Sequence, residues 1–386
     1  MSNHQLPQKS TVDVRRTLKM TTDNSHCSAA YSYTTALDIC AILLNIFGCF
    51  ANFPVTVLLF LLRSKKSEGL ILLRVLSAGC LDFSLISLIE KVVGLNPNTG
   101  NIYIDGLICL LWSSRFLFWY ISFQIYHSLF YFACNRAYEL LQIRNYPIIT
   151  EKQRLTAYML LVFIGSFIGA VPHLLLAFPL SNNCACDPLP DNFGILSVLY
   201  AQAFLWIAIL GIIYPAILVY ICIALVLRLR NSERGIIADE LEELYFLKPR
   251  LFPTSTTITS TPAPPVASSS SDSERNRVGV LERPGNKSVP HAWSASCCIV
   301  PLTAAFIVGI AFESTQQLLS AAGVINYRLR TPAEKFSLVL GSLFTVLVPL
   351  ILFFHIPAMR ALIFAAIASI KEKIGKSKSA DTSDLP

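Results

Sequence analysis

Charge is what this chain has least of. Only 14% of its 386 residues are Asp, Glu, Lys or Arg, against about 25% in a soluble domain. Histidine is scarce too, at six scattered positions, so no metal site is spelled out. No nucleophile stands beside a base, and no glycine loop matches a phosphate cradle. The acidic residues inside apolar segments are not spaced as an acid–base pair. These absences leave no enzyme and no cofactor to expect. The apolar core of a cleavable signal is also missing: residues 1–35 are polar and mixed, with Arg15, Arg16 and Lys19. The first long apolar run then serves as the signal itself. The two halves show no internal repeat, which weakens an inverted-repeat transporter.

Apolar residues fill the chain instead. They make up 54% of it, and the mean hydropathy is +0.56. A hydrocarbon core about 30 Å thick takes roughly 20 apolar helical residues to cross. Runs long enough lie near 36–62, 69–94, 107–133, 155–179, 196–227, 294–322 and 335–356. Lipid offers the backbone no hydrogen bonds, so each run is expected to be helical. The expected fold is an all-α membrane protein, a seven-transmembrane helix bundle over 36–356, after an N-terminal tail of 1–35. An odd number of spans puts the termini on opposite sides of the bilayer. The net charge of +7 reads as basic cytoplasmic loops, with no nucleic-acid partner.

Loop charge sets the orientation. Arg63, Lys65 and Lys66 follow the first run, and Arg136, Arg144, Lys152 and Arg154 flank the junction of the third and fourth. The stretches Asn96 to Asp105 and Ser181 to Asn192 contain no Lys or Arg. Odd-numbered loops are therefore expected inside and the N-terminus outside. Arg328, Arg330 and Lys335 break this pattern in the last outer loop.

Of eleven cysteines, Cys27, Cys109, Cys184 and Cys186 fall on the expected outer, oxidising side. Four cysteines allow three connectivities. A Cys184–Cys186 ring would be very tight, which favours Cys109 with one of them. The other seven read as small buried hydrophobes.

Two segments stand outside the spans. Residues 231–292 open on an acidic amphipathic stretch (Asp239 to Phe246) and continue as a Ser/Thr/Pro tract. That composition cannot bury enough apolar area to order itself. Ser268 to Ser271, followed by Asp272, Ser273 and Glu274, are candidate phosphate acceptors; a plain linker is the equal alternative. The sequon at Asn286 falls on the cytosolic side and is discounted. In 357–386, Met359, Ile363, Ile367, Ile370 and Ile374 share one helical face flanked by Arg360, Lys371, Lys373, Lys376 and Lys378. An amphipathic eighth helix at the cytoplasmic lipid interface is expected.

Ionisable residues inside spans are costly and point to function. They are Asp82, Glu90, Lys91, Arg115, Arg136, His173 and Glu313. Glu90 and Lys91 read equally well as snorkelling groups, and His173, beside Pro172, reads as structural. Glu313 lies roughly 15 Å below the outer surface at helical rise. Gln316 and Gln317 follow at three and four residues, forming one polar stripe.

The ordered set of partial motifs resembles rhodopsin-like (class A) G-protein-coupled receptors along nearly the whole chain. Asn52 and Val55 match G-N-x-x-V of the first span. A-G-C-L-D at Ala78 to Asp82 resembles L-A-x-x-D, which makes Asp82 the sodium-site aspartate. Asn135-Arg136-Ala137 stands where the family has Asp-Arg-Tyr, and Tyr146-Pro147 matches its second inner loop. Pro172, Pro215 and Val348-Pro349 to Leu362 fit the fourth, fifth and seventh spans with the start of the eighth helix. Cys109 with Cys184 or Cys186 resembles the family disulfide. There are departures. Asn135 replaces the aspartate that restrains the arginine, Val348 and Leu352 replace Asn and Tyr of N-P-x-x-Y, and G-I-A-F at Gly309 to Phe312 replaces C-W-x-P. The fourth span lacks its tryptophan, and Cys109 lies a couple of residues further from Arg136 than usual.

The resemblance implies a plasma-membrane receptor that couples an extracellular ligand to a heterotrimeric G protein through Asn135 and Arg136. Asn52, Asp82 and Pro349 would form its sodium and activation core. Phe118 stands at the amine receptors' aspartate and Ser342 at the opsins' lysine, so neither an amine nor retinal is implied. A peptide or small molecule is, in a pocket of Glu90, Lys91, Arg115, Phe118, Trp119, Glu313, Gln316 and Gln317. Kinases and arrestin are implied at the Ser/Thr-rich loop. Asn135 implies raised basal activity. The rivals are a small ion or solute transporter or channel using Asp82, Glu90 and Glu313, and a degenerate receptor that binds without signalling.

Overall fold

A computed structural model describes residues 35–63, 68–93, 99–140, 150–175, 177–179, 184–186, 193–231, 245–246, 295–322, 324–325, 331–361 and 363–364. It contains seven apolar helices of membrane-spanning length: Ala36–Leu61, Glu68–Val92, Ile102–Glu139, Glu151–Leu174, Ala201–Arg228, Ala295–Ser320 and Pro332–His355. They are called the first to seventh spans below. Each packs on its neighbours, the seventh closes back on the first, and the third touches the second, fourth, fifth and sixth. The third span is therefore the axis of the bundle.

The helices begin where the sequence can cap them. Thr35 and Asp38 form a capping box on the first span, and Thr150 with Gln153 does the same on the fourth. Thr331 accepts from the Glu334 amide at the start of the seventh, where Pro332 fits the first turn. Large apolar side chains such as Phe50, Phe53, Phe167 and Ile168 face outward, as a lipid-facing surface requires. Small residues let spans approach. A Cβ on Gly48 would lie 2.6 Å from the Ser84 hydroxyl, so only glycine fits between the first and second spans.

The third span is longer than its hydropathy implies. It starts at Ile102 and runs to Glu139, beyond the expected 107–133. Its C-terminal extension carries Arg136 and Glu139, which pair with each other within the helix. It is also interrupted. Cys109–Ser113 is a π-helical turn, and Arg115 sits at φ 59°, a left-handed conformation that costs a non-glycine residue strain. A second π turn, Ile207–Ile213, ends just before Tyr214 and Pro215 in the fifth span; Pro215 cannot donate to the helix and pushes the preceding turn wider.

Two short antiparallel strand pairs complete the described chain. Ala177–Pro179 pairs antiparallel with Cys184–Cys186, and the first of these strands packs on the Cys109 turn. Leu62–Arg63 pairs with Tyr245–Phe246, at the end of the acidic amphipathic stretch. The phosphate-acceptor run, the sequon, Cys27, Arg144, Arg328, Arg330 and the helical face beyond Phe364 lie outside the described residues. Residues 357–361 and 363–364 are helical, with Met359 fully buried beneath the bundle.

Candidate functional site

The half of the bundle nearer Cys109 is organised by ion pairs. Arg115 is 7% exposed; its guanidinium meets Glu334 at 2.6 Å and Glu90 at 3.2 Å. It also lies over the Phe118 ring, 4.7 Å from the centroid. Asp38 takes Lys91 at 2.8 Å and Lys335 at 2.6 Å. Three carboxylates and three cations thus tie the first, second, third and seventh spans together. Lys335, which broke the loop-charge pattern, is spent in this bridge. The expected pocket residues Glu90, Lys91 and Arg115 are paired with protein charges and line neither of the cavities below.

Two adjoining cavities lie next to this layer. The larger, about 270 Å³, is enclosed by the third to sixth spans. Its wall is aromatic: Trp119, Phe123, Tyr126 and Trp206, with His173 stacked on Trp119 at 4.9 Å and 7°. The smaller lies among the second, third, sixth and seventh spans, with Phe83, Phe118 and Glu334 in its wall. Trp119, Tyr126 and Glu313 line both. Gln317 lines the larger one and donates to the Glu313 carboxylate at 3.2 Å. Gln316 lines neither, so the expected polar stripe is only partly shared. Among the described residues no lysine or arginine lines either cavity, and none pairs with Glu313.

Glycine shapes the larger cavity. A Cβ on Gly169 would lie 2.8 Å from Phe123 and 2.9 Å from Trp206. Gln202 donates to the Gly169 carbonyl at 2.8 Å and fixes the fifth span against the fourth. Below the cavities Ile125, Leu129, Leu218, Leu302 and Phe306 are buried in the hydrophobic core, beside buried polar groups at His127, Ser128 and Thr303.

The midspan polar cluster is real, but it does not contain Asp82. Asn52 is fully buried and donates to the carbonyls of Gly48 and Thr345, each at 2.9 Å. Thr56 and Ser77 are 2.7 Å apart, and Ser84 lies 3.5 Å from the Thr345 hydroxyl. Asp82 is exposed on the face that also carries Leu85, Ile89 and Val92. The buried register of the second span runs through Leu73, Leu76, Cys80 and Phe83. Cys80, two residues earlier, therefore occupies the inward position expected of Asp82. Pro349 is buried in the seventh span, with Val348 and Leu352 fully enclosed.

At the opposite end of the bundle Arg136 is 1% exposed and held on two sides. It donates to Glu139 at 2.7 Å and to the Ser296 hydroxyl, at the start of the sixth span, at 3.0 Å. Asn135 donates to the other Glu139 oxygen at 3.2 Å. Arg154 of the fourth span pairs with Glu68 of the second, lies 3.7 Å from Glu139, and covers the Tyr138 ring at 4.2 Å. The expectation that Asn135 leaves Arg136 without an ion pair is therefore corrected: the carboxylate comes from Glu139, one turn on.

Sequence reasoning missed Asp38, Glu334 and Glu139, which sit at span ends and look like ordinary interfacial charges. The signal for Glu139 was its i, i+3 spacing from Arg136. Cys109 is buried and disulfide-bonded; the side chains of Cys184 and Cys186 lie outside the described residues. Cys40, Cys49, Cys80, Cys134, Cys222, Cys297 and Cys298 are free thiols. No protein-family model matches the chain, and no curated protein is significantly similar to it.

Proposed function

We propose that this chain is a seven-helix receptor on the plan of the rhodopsin-like G-protein-coupled receptors, with its N-terminus outside. A ligand enters the cavities around Glu313 and shifts the population toward a state that binds a heterotrimeric G protein at the Arg136 end. The observation that carries this reading is the bridge through Arg136. One buried arginine joins the third span to the sixth, and the sixth span also contributes Glu313 to the cavity wall. A single rigid element thus touches both ends. A disulfide at Cys109, beside the hairpin that carries Cys184 and Cys186, supports placing that end in an oxidising compartment. Kinases and arrestin would read the Ser/Thr-rich third inner loop.

The buried apolar side chains of Leu129, Leu302 and Phe306 between Glu313 and Arg136 favour the receptor over an open channel. The buried Val348 and Leu352 favour the degenerate receptor as second reading. The full chain in nanodiscs, mixed with purified heterotrimeric G proteins, separates them. Nucleotide exchange above that of empty nanodiscs supports the receptor. No exchange with any G-protein class supports the degenerate form, and ion flux in proteoliposomes supports the transporter.

A further inference from the structure

From the charge arrangement around the two cavities we infer that the bound ligand is a small organic cation: an apolar or aromatic body bearing a protonated amine or guanidinium that sits on Glu313. The inference rests on the receptor reading only for the word ligand; the site itself is argued from its walls.

Every described cation near the cavities already has protein partners. Lys91 and Lys335 are held by Asp38, and Arg115 by Glu90 and Glu334. The three acids and three bases balance. Glu313 is left over: among the described residues it accepts from the neutral amide of Gln317. Glu334 adds a second carboxylate to the smaller cavity. An anionic ligand would meet these acids and, among the described residues, no lysine or arginine in either wall. A carboxylate enclosed without a counter-charge is costly until a cation reaches it. The rest of the wall suits the same chemistry. Trp119, Phe123, Tyr126 and Trp206 present ring faces, which attract cations and cover apolar bodies. At about 270 Å³ the cavity sits near the small end of ligand sites, which span about 300–1,000 Å³. The third-span position of amine receptors is Phe118 here, which removes a carboxylate from that helix. The sixth span supplies one from the other side of the cavity.

The cation could belong to a free amine or to a basic residue of a peptide, and the probes tell these apart. Full-length protein in nanodiscs is melted with tryptamine and phenethylamine, with N-acetyl-arginine amide, with the neutral isostere indole-3-ethanol, and with indole-3-acetate. At least one cation should raise Tm, and the neutral and anionic probes should not. A shift with the amines alone marks a free-amine ligand, and one with N-acetyl-arginine amide alone marks a peptide side chain. Removing one partner of an enclosed charge pair costs about 2 kcal/mol or more, so Glu313→Gln should weaken cation binding at least about thirtyfold. Asp82→Asn, outside both cavities, should leave it unchanged. If Glu313→Gln does not fold, the comparison of cation with neutral isostere in the unaltered chain decides. No shift with any cation, an equal shift with the neutral or anionic probe, or undiminished binding to Glu313→Gln overturns the proposal. Nucleotide exchange, measured separately, reports on the receptor reading: binding without exchange leaves the cation site standing and counts against coupling.

Discussion

Two arginines do opposite work at the two ends of the bundle. Arg136 bridges Glu139 and Ser296, and this contact restrains the sixth span. Losing a charged hydrogen bond of this kind costs about 1.5–3 kcal/mol. On the receptor reading, Ser296→Ala, which removes the bond to the sixth span, should therefore raise ligand-free nucleotide exchange about tenfold or more, measured on reconstituted protein. Glu139→Gln, which removes a pair within the third span and leaves the Ser296 bond in place, should change exchange less. Arg115 is a positioning group. With Glu90 and Glu334 both on its guanidinium, Arg115→Ala leaves two enclosed carboxylates without a cation, a loss of about 3–5 kcal/mol. A thermal melt of the purified variant should show it as a large fall in Tm. An unchanged Tm would mean that the ion layer contributes nothing to stability.

The spans explain which features were readable in the sequence and which were not. Apolar run length placed all seven helices, because lipid leaves the backbone no alternative. Rotation about the helix axis was harder. A-G-C-L-D was read with Asp82 inward, yet burial puts Cys80 there. Ser77, Cys80, Ser84 and Ser87, spaced three and four residues apart, mark that inner face and were the available signal. Asp82 on an apolar outer face carries an insertion cost of about 2.5–3.5 kcal/mol near the bilayer centre. Asp82→Leu should thus fold with equal or higher Tm and leave ligand response insensitive to sodium, whereas Asn52→Leu should lower Tm by breaking the link to Thr345. The interruption at Ser114 and Arg115 had only a spacing anomaly to announce it, since a left-handed arginine is set by tertiary contacts. Ion-pair partners were the least legible part. Asp38 and Glu334 are distant in sequence from Lys91 and Arg115, and only packing brings them together. Gly169 ties one element to the cavity: Gly169→Ala forces Phe123 and Trp206 apart, which should weaken binding of a cavity ligand more than it lowers Tm.

The bundle as a unit places two polar regions at opposite ends of a core that is mostly apolar. The Glu313 cavities lie toward the Cys109 end, the Arg136 network lies at the other, and Phe306, Leu302 and Leu129 are buried between. On the receptor reading, such a layout carries a signal from the Glu313 cavities to the Arg136 end. Coupling must then travel through the sixth span, which contacts both regions. The most direct measurement is guanine-nucleotide exchange on a heterotrimeric G protein, driven by the full-length chain in nanodiscs, with and without a cation that binds the cavity. The receptor reading requires the cation to increase exchange in the unaltered protein and to have no effect with Glu313→Gln. A protein that binds the cation and leaves exchange at the empty-nanodisc rate with every G-protein class would contradict it.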